Sequence, residues 1–188
     1  MKILSLDPSK SNTGWAVWDI ARHHSSMEVG SFKVVGDSLF EATDDFVAKL
    51  VPILKQFRPD HVVWEAGRAD IQGYSRERNG LAGSHVERGG NAAILILQRL
   101  IGAAQTACNA LHITHEEVDM KTWRKAFLGY GWKAGMTRDA YKKAARQQCE
   151  DEKISVSNND QAEAAGIAFW AGRCSQIVRQ KSKTREVA

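Results

Sequence analysis

The sequence predicts an α/β fold with a mixed five-stranded sheet, in which three antiparallel strands are followed by parallel strands and helices flank the sheet. Two observations predict it. Over the first 35 residues, short apolar runs alternate with clusters of turn residues, which is typical of strands joined by hairpins. From residue 38 onward, longer segments with helical spacing alternate with two further apolar runs, as in parallel strands joined by helical crossovers.

The first third of the chain supplies three strands and one helix. Strands are predicted over residues 2–7, 15–20 and about 29–35, with a turn rich in Ser, Asn and Gly over residues 8–14. Residues 38–57 carry apolar side chains at helical spacing and predict an amphipathic helix. Pro52 is expected to kink this helix or to end its first segment, because proline lacks the backbone donor.

The middle of the chain supplies the other two strands, at residues 61–67 and 113–118. Between them, residues 67–90 contain six glycines and no clear period, which predicts a long loop of functional importance or high mobility. Residues 91–112 predict a long helix that Asn91 can cap. Its first turns are apolar nearly all round, so it is expected to be buried on more than one side.

The last third is predicted to be helical. Two basic helices are expected over residues 122–131 and 137–152, and a final amphipathic helix over residues 158–178. The chain shows neither an internal repeat nor a domain linker. The prediction is therefore one domain over residues 1–178, followed by a basic and flexible tail over residues 179–188.

Composition favours a cytoplasmic protein without a membrane partner. No apolar run approaches the roughly 20 residues that span a membrane, and the N-terminus enters a strand without the pattern of a secretory leader. The three cysteines lie far apart, which indicates reduced thiols rather than a disulfide framework or a metal site. These are expectations from the sequence alone.

Basic residues are concentrated in the C-terminal half. The formal net charge of +4 is mild, but residues 121–146 hold eight Lys or Arg against the single acid Asp139. A basic face suits a polyanion, although a solvated helix surface would show the same pattern. The candidate phosphate contacts are Lys121, Arg124, Lys125, Lys133, Arg138 and Lys142.

Four carboxylates form the candidate metal site. Asp7 and Glu65 end predicted strands, and such ends meet where ligand crevices form in open α/β sheets. Asp160 and Glu163 are spaced i, i+3, which puts both on one face of the final helix. If this helix docks across the first strand, the four side chains converge. Each also has a structural alternative, such as a turn at Asp7, an ion pair at Glu65 or helix-dipole stabilisation for the last two.

Divalent cations would relieve the repulsion among such carboxylates. Oxygen ligands suit Mg²⁺ or Mn²⁺, and carboxylates can bridge two ions about 3.5–4 Å apart. An arrangement of this kind hydrolyses phosphodiesters, because one ion activates a water and the other stabilises the leaving oxygen.

Three segments together resemble a known family. The stretches ILSLDPSKSNTGWAV, HVVWEAG and NDQAEAAGIAFWA, supported by VDMKTWRKAFLG, resemble the RuvC-type Holliday-junction resolvases, in the phage-encoded branch of the RNase H-like superfamily. The resemblance spans about residues 2–172. It implies an RNase H-like fold and a catalytic, metal-binding set of Asp7, Glu65, Asp160 and Glu163. Two positions depart from the family pattern, with Ser9 in place of a usual Gly and Glu163 in place of a frequent Asp.

The resemblance implies a metal-dependent endodeoxyribonuclease that resolves four-way or other branched DNA by paired cuts. Two symmetric cuts need two active sites, so a homodimer is expected. The helix over residues 91–112 is the candidate interface, and its alternative role is a core helix. The loop over residues 67–90 would face the junction centre, where Tyr74, beside Arg76 and Arg78, is a candidate for stacking on an unpaired base. Trp123 and Trp132 are interpreted as packing residues.

Three alternatives remain open at this point. The chain could be an RNase H-like or flap nuclease without junction preference, which would use the same carboxylates. It could be a protein that binds junctions without cutting them. An actin-like or sugar-kinase ATPase is disfavoured, because that fold needs two such hairpin halves and an adenosine pocket.

Overall fold

The computed structural model describes residues 1–67, 74–80, 83–89 and 91–187, with side chains described for residues 1–67 and 94–184. The elements in chain order are β1 (Lys2–Asp7), β2 (Thr13–Asp19), β3 (Glu28–Phe32), α1 (Leu39–Phe57), β4 (His61–Glu65), β5 (Tyr74–Gly80), β6 (Gly83–Gly89), α2 (Asn91–Ala110), β7 (Thr114–Val118), α3 (Met120–Leu128), α4 (Arg138–Asp151), α5 (Asn159–Cys174) and α6 (Gln176–Val187).

The five predicted strands form one mixed sheet in the order β3-β2-β1-β4-β7. The first three strands pair antiparallel, and β4 and β7 continue the sheet parallel to β1. This topology confirms the predicted fold class. Pro52 lies inside α1, which continues to Phe57 rather than ending at the proline.

The prediction of an irregular loop over residues 67–90 is wrong for two of its segments. Strands β5 and β6 pair antiparallel from Tyr74 opposite Gly89 to Gly80 opposite Gly83, as a separate two-stranded sheet. The sequence of this ribbon is mostly polar and glycine-rich. Strand prediction depends on alternating apolar residues, so a ribbon with few of them carries no recognisable period.

The predicted final helix divides in two at Ser175, whose extended backbone ends α5. Residues 176–187 form α6. This helix is attached to the domain, because Val178 is buried and the Lys181 ammonium donates to the Thr114 hydroxyl and the Asp60 carbonyl. Where the compact domain ends remains a prediction.

Each face of the main sheet carries its own apolar core. Helices α1 and α2 cover one face, where Leu4, Leu6 and Trp64 are buried. Helices α3, α4 and α5 cover the other, together with Ile3 and Val63. Residues adjacent in a strand therefore face opposite cores, as the two-residue period requires. Within the described ranges, no helix is both long enough and apolar enough to cross a membrane.

Helix α5 is the central packing element of the second face. Nearly its whole first half is buried, including residues on the side opposite the sheet, because α3 and α4 pack over it. Its buried positions are mostly small: Ala162, Ala164, Ala165, Gly166, Ala168 and Ala171. Small residues allow a helix to approach its neighbours closely, so the acids that α5 carries are held against the sheet.

Candidate metal centre

The sheet register brings two acidic strand ends together. Strands β1 and β4 are parallel neighbours, with Leu6 opposite Trp64. Asp7 follows Leu6 and Glu65 follows Trp64, so both carboxylates lie at the carboxyl edge of the sheet. Because side chains alternate along a strand, both project from the face that α5 covers.

Direct contacts fix the first turns of α5 over these strand ends. The Ser5 hydroxyl of β1 donates a 2.6 Å hydrogen bond to the Ala164 carbonyl of α5. Gly14 of β2 lies so close to the helix that a Cβ there would stand 2.0 Å from the Asp160 carbonyl oxygen. The Asn158 side chain caps the helix. The acidic first turn of α5 is thereby held beside β1.

Three carboxylates gather at this point. Asp7, Asp160 and Glu163 each offer an oxygen, and these oxygens lie within 4.8 Å of one another. Glu65 is outside this group of three, and its Oε2 accepts a 2.8 Å hydrogen bond from Trp123 Nε1 of α3. The negative charge of Glu65 still acts on Asp7. The structure thus gathers three of the four predicted ligands and places the fourth beside them.

Two basic side chains partly neutralise the three carboxylates. Lys142 Nζ of α4 lies 3.0 Å from Asp160 Oδ1 and 3.4 Å from Glu163 Oε2. A guanidinium nitrogen of Arg124 lies 3.2 Å from Glu163 Oε1, and this side chain is buried. Both residues are predicted phosphate contacts. They lie inside the site rather than on an open surface, and their phosphate role stays a prediction.

Neighbouring side chains support this arrangement. The Arg124 guanidinium carbon lies 4.6 Å from the Tyr141 ring centroid and 5.3 Å from that of Trp123. Asn12 donates a 2.7 Å hydrogen bond to Asp160. Sequence reasoning missed Asn12 and Tyr141. A signal existed for Asn12, which lies in the turn between the first two strands, whereas no pattern in the sequence singled out Tyr141.

The structure says less about the other predicted DNA contacts. Lys121, Lys125, Lys133 and Arg138 are exposed, and no bound ligand tests their role. Tyr74, Arg76 and Arg78 belong to β5, and their side chains lie outside the described part of the chain. All seven remain predictions.

The pKa of Asp7 is raised well above its ordinary value. Loss of hydration is the largest cause, followed by repulsion from Glu163, Glu65 and Asp160, while Lys142 acts in the opposite direction. At Asp7, burial and the neighbouring negative charges therefore outweigh the nearby ammonium.

Without divalent metal, the protein is expected to lose stability as the pH rises from the ordinary carboxyl pKa of 3.8 toward the raised pKa of folded Asp7. In this range the unfolded chain has lost the Asp7 proton and the folded chain retains it, so rising pH favours unfolding. Asp7→Asn removes this titration. The unfolding free energy of the variant relative to wild type should grow by up to about 1.4 kcal/mol per pH unit.

Urea unfolding of both proteins in the presence of a chelator, across a series from mildly acidic to neutral pH, measures this difference. A difference in unfolding free energy between the two proteins that stays constant across the pH series would contradict this prediction. Adding Mg²⁺ at neutral pH should stabilise wild type more than Asp7→Asn, because the variant offers one carboxylate fewer.

The donor set fits a hard divalent cation. The three clustered side chains offer carboxylate oxygens only, which suit Mg²⁺ and Mn²⁺ better than softer metals. Burial is the largest cause of the raised pKa of Asp7 and the neighbouring carboxylates add to it, and a bound cation would relieve their repulsion. The residues present are therefore compatible with the predicted metal.

The fold matches several solved structures at low sequence identity. Thermus thermophilus RuvC in complex with a Holliday junction substrate aligns with a TM-score of 0.64 and 14% identity, covering 96% of this chain and 96% of that chain. The yeast mitochondrial Holliday junction resolvase Ydc2 aligns with a TM-score of 0.60 and 12% identity, covering 99% and 84%. Fowlpox virus resolvase, in complex with Holliday junction DNA, aligns with a TM-score of 0.53 and 11% identity, covering 92% and 97%.

No protein-family profile and no curated protein sequence matches the chain. At identities this low, structural likeness concerns the fold. It agrees with the strand order, with the two parallel strands after the antiparallel three, and with the helices on both faces. The chain therefore has the RNase H-like fold of the RuvC-type Holliday-junction resolvases.

Proposed function

We propose that this protein is a metal-dependent endodeoxyribonuclease that resolves four-way, or other branched, DNA by hydrolysing phosphodiesters in pairs. The observation that carries the proposal is the convergence of Asp7, Asp160 and Glu163 from elements far apart in sequence. Burying like charges together is unfavourable unless a ligand compensates, so the arrangement favours a functional site over a structural one. Among solved proteins with this fold, Ydc2 is named as a Holliday junction resolvase and two others are in complex with Holliday junctions, which supports the choice of substrate.

Asp7, Glu65, Asp160 and Glu163 would hold Mg²⁺ or Mn²⁺, with two ions in each site. Bound there, such ions supply an activated water and stabilise the leaving oxygen. The protein's own groups position these ligands. Trp123 orients Glu65 through its indole hydrogen bond, with an N···O distance of 2.8 Å.

Lys142 is suited to hold the scissile strand near the carboxylates, and Arg124 to keep a positive charge beside them. Lys142 already spans Asp160 and Glu163, so its ammonium lies where a phosphate would approach. Arg124 is held against Glu163 by its contacts with two aromatic rings and acts as a fixed positive charge.

The exposed basic residues would contact the DNA backbone beyond the site. Lys121, Lys125, Lys133 and Arg138 lie on or beside α3 and α4, the same helices that supply Arg124 and Lys142. Contacts of this kind position DNA without reading its sequence. Tyr74, Arg76 and Arg78 of β5 are proposed to act at the junction centre.

A homodimer is proposed, because two symmetric cuts need two sites. Helix α2 is the candidate interface. Leu100 and Ile101 face the core, whereas Leu95 is 55% exposed, so this helix presents apolar surface on both sides. The proposed location is a bacterial or phage-infected cytoplasm.

A nicking assay on a synthetic immobile four-way junction tests the function. Purified protein should introduce paired nicks with Mg²⁺ or Mn²⁺ and none with chelator, because the bound ions would supply the activated water and stabilise the leaving oxygen. Y-forks, flaps and RNA–DNA hybrids of matched sequence serve as comparison substrates. Equal cutting of all these substrates would indicate a general nuclease without a junction preference. Tight junction binding without cutting under any metal would indicate a binding protein.

A further inference from the structure

A groove lined by aromatic and basic residues lies between α3, the loop that follows it and the last turns of α5. It is open to solvent, has a volume of about 790 Å³, and is lined by Lys121, Thr122, Lys125, Ala126, Gly131, Trp132, Trp170 and Cys174. The interpretation of Trp132 as a packing residue is wrong, because its side chain is 68% exposed. Trp123, the other residue interpreted in this way, is fully buried as expected.

The loop that carries Trp132 is held firmly. Gly131 lies against α3 so closely that a Cβ would stand 2.4 Å from the Lys121 carbonyl oxygen. On the other side of the tryptophan, the Lys133 amide donates a 2.5 Å hydrogen bond to the Tyr141 hydroxyl. Trp132 is therefore exposed on a fixed backbone. Because the backbone is already ordered, a ligand that stacks on the ring has only the side-chain torsions of Trp132 to immobilise.

The charge of the groove is positive. Lys121 and Lys125 line it, Lys133 follows Trp132, and none of the described residues that line it is acidic. An exposed aromatic ring flanked by ammonium groups is the combination that binds single-stranded nucleic acid. Bases stack on the ring while phosphates contact the lysines.

We propose that this groove binds single-stranded DNA, with one base stacked on Trp132 and the adjoining phosphates on Lys121 and Lys125. This inference rests on the proposed function, since it takes DNA as the substrate. It adds a site for an unpaired strand that is separate from the carboxylates. Charge complementarity favours DNA over a partner protein as the occupant.

The position of the groove suits a strand that also reaches the active site. Trp170 follows Glu163 by seven residues on α5, which corresponds to about 10 Å along the helix axis. On α3, Arg124 faces the carboxylates and its neighbour Lys125 lines the groove. An unpaired strand released beside a cut could therefore be held within the same molecule.

The first test measures binding of a fluorescently labelled oligothymidylate by anisotropy, in chelator so that no strand is cut. Trp132→Ala is expected to weaken this binding by about tenfold or more, since the base loses its stacking surface. Trp132→Tyr should retain most of the affinity. Phe40→Ala is the matched control, because Phe40 is 64% exposed on α1, on the other face of the sheet, and its loss should change nothing.

Cys174 offers a second readout that needs no substitution. It is exposed at the groove, whereas burial raises the pKa of the Cys108 and Cys149 thiols to about 12 and keeps them unreactive. Oligothymidylate should slow alkylation of Cys174 by a maleimide. Unchanged alkylation together with unchanged affinity of Trp132→Ala would overturn the proposal.

The outcomes separate this inference from the proposed function. If the junction is cut but Trp132→Ala binds oligothymidylate normally, the groove has no role in binding single strands and the nuclease proposal stands. If Trp132→Ala loses oligothymidylate affinity while no branched DNA is cut, the groove proposal stands alone. If the substitution instead abolishes self-association in sedimentation and leaves oligothymidylate binding intact, the groove is an interface between copies and the proposal is wrong.

Discussion

Asp7→Asn is expected to abolish junction cleavage and to leave junction binding close to wild type. An oxygen of Asp7 lies within 4.8 Å of oxygens of Asp160 and Glu163. The negative charges of both, and that of Glu65, act on Asp7. The amide has the same shape but loses the charge that would bind the metal. Loss of a single transition-state donor already lowers rates by roughly 10² to 10³. Loss of a metal ligand should therefore lower the cleavage rate at least about a thousandfold.

Single-turnover cleavage and gel-shift affinity on the same junction measure the two effects separately. Asp44→Asn is the matched control, because Asp44 is exposed on α1, on the opposite face of the sheet. That variant should cut normally. Residual cutting by Asp7→Asn at more than a few per cent of wild type would contradict a catalytic role. Loss of binding together with loss of folding would make Asp7 a structural residue.

Gly14→Ala is expected to damage both stability and cleavage. The added Cβ would stand 2.0 Å from the Asp160 carbonyl oxygen and 2.4 Å from its carbonyl carbon. Both are backbone atoms of α5, so no side-chain rotation relieves the clash. The helix must move away from β2, and Asp160 moves with it. Overpacking of this kind destabilises proteins by about 1–3 kcal/mol or more, and displacement of a ligand should lower cleavage strongly.

Gly102→Ala is the control for this substitution. Gly102 is exposed in the middle of α2, and a Cβ there meets nothing within 4 Å. Gly102→Ala should therefore raise the free energy of unfolding by about 0.5–1 kcal/mol, because alanine favours helix more than glycine does. Chemical denaturation compares the stabilities of the two glycine variants. The nicking assay compares Gly14→Ala with Asp44→Asn, because Gly102 lies on α2, the candidate dimer interface. A Gly14→Ala protein with normal cleavage would show that Asp160 need not lie beside β1.

The parts of the site that sequence could predict depend on local periodicity. Asp7 and Glu65 each end a short apolar run, and parallel pairing of those runs puts the two ends together. Asp160 and Glu163 share a helix face through their spacing alone. Strand ends and helix faces are local properties, so the gathering of these acids can be predicted from the sequence.

The charged partners of that group could not be predicted in the same way. Arg124 and Lys142 belong to a basic stretch whose charge suggests a surface, yet both turn inward onto Glu163. Which face of a basic helix points inward depends on how α3 and α4 pack on α5, a tertiary property that charge spacing does not report. The exposure of Trp132 depends in the same way on a close contact between Gly131 and α3.

The burial of α5 on nearly every side has a consequence for heating. The same helix that completes one apolar core carries half of the predicted metal ligands, so the described part of the candidate site belongs to the core rather than to a softer unit that could melt first. Thermal inactivation and global denaturation should then be one cooperative event. The fraction of activity that remains after heating should then equal the fraction of molecules that did not unfold.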